Sequence, residues 1–328
     1  MPYKGRALYN LLQMNLKRNP QLEVETWQVE DYRAVSLEEL FSRMENFQIF
    51  LDEGHFVLYV EESDSPEDLT EVLYLGNDFA AHEQIFLCLF EIWRRLCPHK
   101  QSLSLFCDEL DHLIEEYEDG EIQHEEELQA SLVSLQKILD DHVDEGGNAE
   151  EGFEMLSRFS CHDLEVFIYE YVAHQLDVEN NLYASELLEG FYLYIQNKRW
   201  FDFLRIRVMA VAELDEANIM AARLLETLRE DIDIHLLFEV MHFLVFIGEN
   251  EQFVASFNMA VDNLETEDDL RELLNVIQDY FDYLDKDKEE EVVRQILEER
   301  QDKDPSHPID PDDEILLHLK HMVTLSPA

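Results

Sequence analysis

Proline breaks a helix because it lacks an N–H and its ring clashes with the preceding turn. No proline occurs in this chain between Pro98 and Pro305. Glycine, the other strong breaker, appears there only at Gly120, Gly146, Gly147, Gly152, Gly190 and Gly248. About two hundred residues with so little punctuation read as an array of helices. Apolar periodicity agrees. In 84–97, Phe86, Leu89, Phe90, Trp93, Leu96 and Cys97 recur at spacings of 3 and 4, with Arg94 and Arg95 off that face. Further helices are predicted over 101–117, 125–143, 150–158 and 162–176, with Gly146 and Gly147 as a break.

From residue 182 the pattern becomes regular. Helix starts fall near 182, 199, 217, 233, 250, 268 and 288, so each pair of helices takes about 35 residues. The apolar faces recur too. Leu187, Leu188, Phe191 and Ile195 are repeated by Leu224, Leu225, Leu228 and Ile232, 37 residues on. Leu237, Phe238, Met241 and Val245 are repeated 36 residues later by Leu273, Leu274, Ile277 and Phe281. The two recurrences pair the helices differently and leave the phase open. Equal helices with short turns pack as antiparallel neighbours, and stacked pairs of this length make an α-solenoid.

One segment carries a resemblance. In FIGENEQFVASFNMAVDNL (246–264), Gly248 stands at a turn, Phe257 in the following helix and Ala260 three residues later. This resembles the turn and second helix of a tetratricopeptide repeat. Met241 and Phe253 depart from it, since that family places small residues there for close helix contact. The resemblance covers one unit of about 34 residues. It implies a solenoid with a concave peptide-binding surface and assigns no binding residues elsewhere.

The first 80 residues are less regular. Leu8, Leu11, Leu12 and Leu16 make an amphipathic helix rather than a secretory h-region. SLEE at 36–39 reads as a capping box with Ser36 as N-cap and Glu39 reaching back. SPED at 65–68 is a second start, with Pro66 at the first helical position. Between them HFVLYV suits a short helix, with a strand as the alternative. DKDPSHPIDPDDE (302–314) reads as a linker before a terminal helix that docks back or binds elsewhere. The fold class expected is all-α: antiparallel helix pairs stacked as a TPR-like α-solenoid, behind an irregular helical N-terminal region. The division is 1–80, N-terminal helical region; 81–178, middle helical region; 179–303, helical repeats; and 304–328, linker and C-terminal helix.

Charge bounds the function. There are 75 acidic and 24 basic residues, a formal net charge of −51. Such a surface repels nucleic acid and anionic lipid, which bind through Lys and Arg. It favours a protein partner with a basic segment. Residues 61–120 carry 3 bases against 16 acids and 121–180 carry 2 against 16, whereas only bases (Lys4, Arg6, Lys17 and Arg18) precede residue 23. That basic start either pairs with the protein's own acidic body or stands as an exposed handle. Adaptation to high salt would explain surface acids without a partner, although the many large aromatics weigh against it. No apolar run reaches the length of a membrane span. Cys88, Cys97, Cys107 and Cys161 show no CxxC spacing and read as free thiols of a reducing cytosol, hence a cytoplasmic protein.

Motifs for chemistry are sparse. Glu109 and His112, Glu121 and His124, and Glu239 and His242 are Glu-x-x-His pairs of the kind that ligates di-iron centres. With 13 histidines and so many glutamates, about two such pairs arise by chance, so three is no enrichment. His318 with His321, and Glu170 with His174, are isolated helical pairs. No P-loop, GxGxxG or GxSxG is present. No enzyme, cofactor or metal is therefore expected. In KRWFDFLRIR (198–207), Arg199, Trp200, Arg205 and Arg207 form the best candidate for a partner-binding patch. The competing reading puts Trp200, Phe203 and Leu204 in the core, with the arginines pairing neighbouring acids. The function expected is a non-catalytic protein–protein interaction scaffold or chaperone-like adaptor for a basic protein segment. The alternatives are a nucleic-acid mimic that blocks a DNA- or RNA-binding protein, and a carboxylate/His metalloenzyme.

Overall fold

The computed structural model describes residues 6–122, 125–311 and 313–324, with side chains from residue 11 onward. Among these there is no β-strand; the chain is helical throughout, with one isolated bridge between Thr266 and Pro308. The helices α1 (Arg6–Arg18), α2 (Thr26–Val29), α3 (Leu37–Asn46), α4 (Glu53–Glu62) and α5 (Pro66–Leu73) make the irregular start. They are followed by α6 (Phe79–Leu96), α7 (Leu103–Glu118), α8 (Glu125–Asp144), α9 (Ala149–Ser157) and α10 (Leu164–Asp177). The regular stretch supplies α11 (Asn181–Tyr192), α12 (Lys198–Ala212), α13 (Leu214–Glu230), α14 (Ile234–Phe246), α15 (Asn250–Val261), α16 (Glu267–Tyr283) and α17 (Asp287–Arg300), before α18 (Glu314–Thr324). No described helix is long and apolar enough to cross a membrane.

The helix boundaries follow local chemistry. Ser65 accepts from Asp68 N at 3.1 Å with Pro66 opening α5, as the sequence predicts. Ser36 caps α3, but the carboxylate of Glu39 meets Arg43 at 3.0 Å instead of reaching back. HFVLYV is helical: Asp52 accepts from His55 N at 2.8 Å, and Phe56 and Val60 are buried on one face of α4. Gly146 ends α8 with φ at +94°, a conformation that glycine adopts without strain. In the regular stretch every helix starts within a residue of its expected place except α13. That helix begins earlier because Glu213 both ends α12 and opens α13, leaving no turn to read.

The helices gather into two compact units, one of residues 1–168 with 193–196 and one of 169–192 with 197–328. In the first unit the core is built on α6, where Phe86, Phe90 and Trp93 are sealed by Phe56, Leu40 and Met44. The same core collects residues from both sides of position 80. Two fully buried carboxylates lie beside it. Glu91 is gripped by Arg94 at 2.6 Å and Arg95 at 2.7 Å, and Asp108 by Arg33 at 2.9 Å. Lys17 of α1 meets Glu115 of α7 at 2.5 Å, so this part of the basic start pairs with the acidic body. Lys4 lies outside the described residues, as does the side chain of Arg6.

In the second unit the contacts keep register. His235 faces Glu272, His242 faces Asp279, and Phe246 meets Tyr283, so α14 and α16 run parallel at one constant offset. On α11 and α12 the order reverses, with Tyr192 against Asp202 and Glu189 against Arg205, as antiparallel neighbours require. Gly248 sits in the α14–α15 turn, where a Cβ would lie 2.7 Å from the Leu244 Cα. Phe253, at a position the tetratricopeptide pattern keeps small, stacks on Tyr280 at 4.0 Å and fills the space between α15 and α16.

The segment before α18 is packed. Glu267 N and Asp268 N, donors that a first helical turn leaves unsatisfied, reach the carbonyls of His307 at 2.9 Å and Pro305 at 3.0 Å. Glu267 itself is buried and takes Arg300 at 2.5 Å and Lys303 at 2.9 Å, while Arg300 also holds Asp313. Leu316, Leu319 and Val323 of α18 then enter the core, so this helix docks back. The Arg300 guanidinium holds the Glu267 carboxyl down at about 2, against an ordinary 4.5. The stability from this depressed group, on the order of 3 kcal/mol, is present above pH ~4.5 and is lost as pH falls towards ~2. We expect Glu267→Gln to destabilise the protein by about 3 kcal/mol at neutral pH and by much less near pH 2. Urea unfolding followed across that range checks both halves.

Candidate functional site

The α12 patch is engaged within its own unit. Arg199 donates to the Asp231 carbonyl at 2.5 Å, and Trp200 Nε1 donates to Asp233 at 2.9 Å. Arg205 forms a two-pronged pair with Glu189 at 3.0 Å and lies over the Tyr192 ring, 3.3 Å from its centre. Arg207 meets Asp177 at 2.6 Å. Phe203 and Leu204 are buried, and the Trp200 indole packs edge-on against Tyr169. All four candidate residues thus tie α12 to its neighbours.

The two Glu-x-x-His pairs within the described residues do not converge. His112 turns to Glu116 at 3.3 Å, and His242 to Asp279 at 3.5 Å on another helix. His124 lies outside the described residues, while His174, His318 and His321 are exposed.

A different set converges in the first unit. Asp108 and Asp111 lie three residues apart on the buried face of α7. Asp108 has its arginine; Asp111, only 1 % exposed, has none among the described residues. It is satisfied by the connection between α9 and α10, Ser160–His162. The Ser160 hydroxyl donates to Oδ1 at 2.5 Å and Cys161 N to Oδ2 at 2.9 Å; His162 Nδ1 lies 3.0 Å from Oδ1. Asp163 then caps α10 by accepting from Glu165 N and Val166 N. The Cys161 Sγ stands 3.3 Å from His162 Nδ1. Ligand atoms of Asp111, Cys161 and His162 all lie within 4.8 Å of one another, at the wall of a small pocket that Gln13, Arg33, His112 and Glu115 also line.

A Cys–His–Asp nucleophilic triad needs the two nitrogens of the imidazole for two different partners. Here the thiol and the carboxylate face the same nitrogen, and Nε2 faces Glu118 at 3.8 Å. Burial, and then the charges of Asp111 and Asp108, push the Cys161 thiol up, the reverse of an activated cysteine. Burial acts to lower the His162 imidazole, but the Asp111 hydrogen bond and charge outweigh it and the net shift is upward. The group is therefore a set of three ligand atoms, one buried and two partly buried, rather than a charge-relay nucleophile. The sequence gives little sign of it, because α7 and the α9–α10 connection are far apart along the chain; the Ser-Cys-His-Asp run ahead of a helix is the only local trace. Comparison with family models, with curated proteins and with solved structures finds no match.

Asp111→Asn removes the charge that organises the Ser160 hydroxyl, the Cys161 and His162 backbone N–H groups and the His162 ring. We expect it to cost about 3 kcal/mol in chemical denaturation. Burial also pushes up the thiols of Cys88, to about 12, and Cys107. All four cysteines should therefore react slowly with a thiol reagent in the folded protein and quickly in denaturant.

Proposed function

We propose that this chain is a non-catalytic protein-interaction scaffold, and that its second unit is an α-solenoid whose α14–α16 ridge holds a basic protein segment. The constant register of α14 on α16, with antiparallel α11 and α12, supports the solenoid reading. The observation that carries the binding reading is the composition of that ridge. Glu239, Glu272 and Asp279 are solvent-accessible on it, beside Phe246 at 55 % and Tyr283 at 56 % exposure. The two rings meet edge to face, 5.9 Å between centres. Carboxylates next to an exposed aromatic pair suit a Lys/Arg segment: the acids attract the charge, and the rings take the aliphatic stem or the cation. Because the α12 arginines are already paired within the unit, the ridge keeps its acidic sign.

A labelled Lys/Arg-rich peptide titrated by fluorescence anisotropy tests this. Binding should weaken with salt, since exposed charges are screened within about 10 Å at 0.1 M. The double variant Glu239→Lys, Asp279→Lys should lose at least about tenfold in affinity. Phe246→Ala with Tyr283→Ala should lose several-fold without changing the salt slope. Equal binding to the charge-reversed ridge would sink the assignment. Retention only of DNA- and RNA-binding proteins, washed off by salt, would favour mimicry instead.

A further inference from the structure

The cluster in the first unit points to chemistry that the scaffold reading neither needs nor uses. We propose that Asp111, Cys161 and His162 form a binding site for a borderline divalent cation, Zn²⁺ by its donor set, with the fourth position open to the adjacent pocket. One carboxylate, one thiol and one imidazole are an O, S, N set that suits zinc and not magnesium or calcium. Spacing agrees. Tetrahedral zinc, with bonds of about 2.3 Å to sulfur and about 2.0–2.1 Å to nitrogen and oxygen, needs S···N near ~3.5 Å and N···O near ~3.3 Å. Cys161 Sγ to His162 Nδ1 is 3.3 Å and His162 Nδ1 to Asp111 Oδ1 is 3.0 Å, so each pair need part only slightly.

Two further observations point the same way. The other imidazole nitrogen, Nε2, faces the Glu118 carboxylate at 3.8 Å, the outer partner that metal-bound histidines commonly have. It leaves the Nδ1 lone pair for the ion. The Ser160 hydroxyl and the Cys161 N–H would stay on Asp111 and hold its orientation. The pocket beside the cluster has room for about one water, which supplies the fourth ligand, with Glu115 and His112 on its wall. Arg33 on its wall is already paired with Asp108 at 2.9 Å.

The exchange balances. Without metal, the site can hold a carboxylate, an imidazolium and a neutral thiol, with no net charge. With Zn²⁺ it holds a carboxylate, a thiolate and a neutral imidazole, again with no net charge. Bonds form from zinc to Sγ, Nδ1 and a carboxylate oxygen, and two protons, one from Sγ and one from Nδ1, leave to solvent. Metal and protons thus compete for one partly buried site.

The test uses the full chain after chelator treatment, with Co²⁺ as the first probe. Addition should give a thiolate-to-cobalt charge-transfer band that saturates at one ion per chain and is displaced by Zn²⁺ but not by Mg²⁺. Cys161→Ala should abolish the band, and His162→Gln should weaken binding at least about tenfold. The corresponding variants of Cys88 and Cys97 should leave it unchanged. Because the Cys161 side chain is only partly buried, its variant should keep the wild-type circular dichroism. Titration of Zn²⁺ in buffers of differing ionisation enthalpy should report up to two protons released per ion, fewer as pH rises and His162 is already neutral. Absence of the band together with no retained Zn²⁺ after dialysis would overturn the proposal, and so would a band that persists in Cys161→Ala. Neither outcome touches the α14–α16 ridge.

Discussion

Buried carboxylates paired with scarce cations hold this molecule together. In this chain of 75 acids and 24 bases several acids are buried, and an ionised carboxylate without a partner is costly to bury. Glu91, Asp108 and Glu267 are each almost wholly buried, and each is answered by arginine, whose planar fork matches a carboxylate. These pairs also lock long-range geometry. Arg95 goes on to the carbonyls of Tyr32 and Arg33, and Arg300 ties α17 both to the start of α16 and to Asp313. Not every buried carboxylate has an arginine: Asp111 is held by Ser160, Cys161 and His162, and both oxygens of Glu67 and one of Glu83 lack a hydrogen-bond partner among the described residues. Burial pushes the Glu67 and Glu83 carboxyls up towards the neutral form.

This pairing explains why Arg199, Arg205 and Arg207 read in two ways from sequence. Basic and aromatic residues concentrated in an acidic chain resemble a recognition patch. The same scarcity makes such residues valuable as internal ties, and each carries an acid or carbonyl of its own unit. Acids are abundant enough to remain on the surface, and there the α14–α16 ridge keeps its character.

Much of the helical order was legible, because breakers and apolar spacing are local properties. The starts of α11, α12, α14, α15, α16 and α17 lie where periodicity puts them. The boundary of α13 was not, because Glu213 serves two helices and leaves no polar gap. The reversal of Glu39 towards Arg43 was equally hidden: a capping box and an i, i+4 ion pair compete for one carboxylate, and local sequence does not rank them. The Asp111 cluster lay furthest from view. It depends on α7 meeting the α9–α10 connection, a tertiary event with no periodic signature, whereas His112 and His242, from Glu-x-x-His pairs that sequence did display, turn to separate partners. The packed segment at 305–309 looked like a linker because its prolines exclude helix, yet its carbonyls complete the first turn of α16.

The clasp at Arg300 bears on how the protein is made. Domains fold largely as units while synthesis proceeds from the N-terminus. The core of the second unit lacks Leu316, Leu319 and Val323, and Arg300 lacks Asp313, until those residues have left the ribosome. A nascent chain stalled shortly before them would present an uncovered apolar face on α15 and an unfinished ion pair at the base of α16. That interval is when the chain is most exposed to chaperones, proteases and its own neighbours on a polysome.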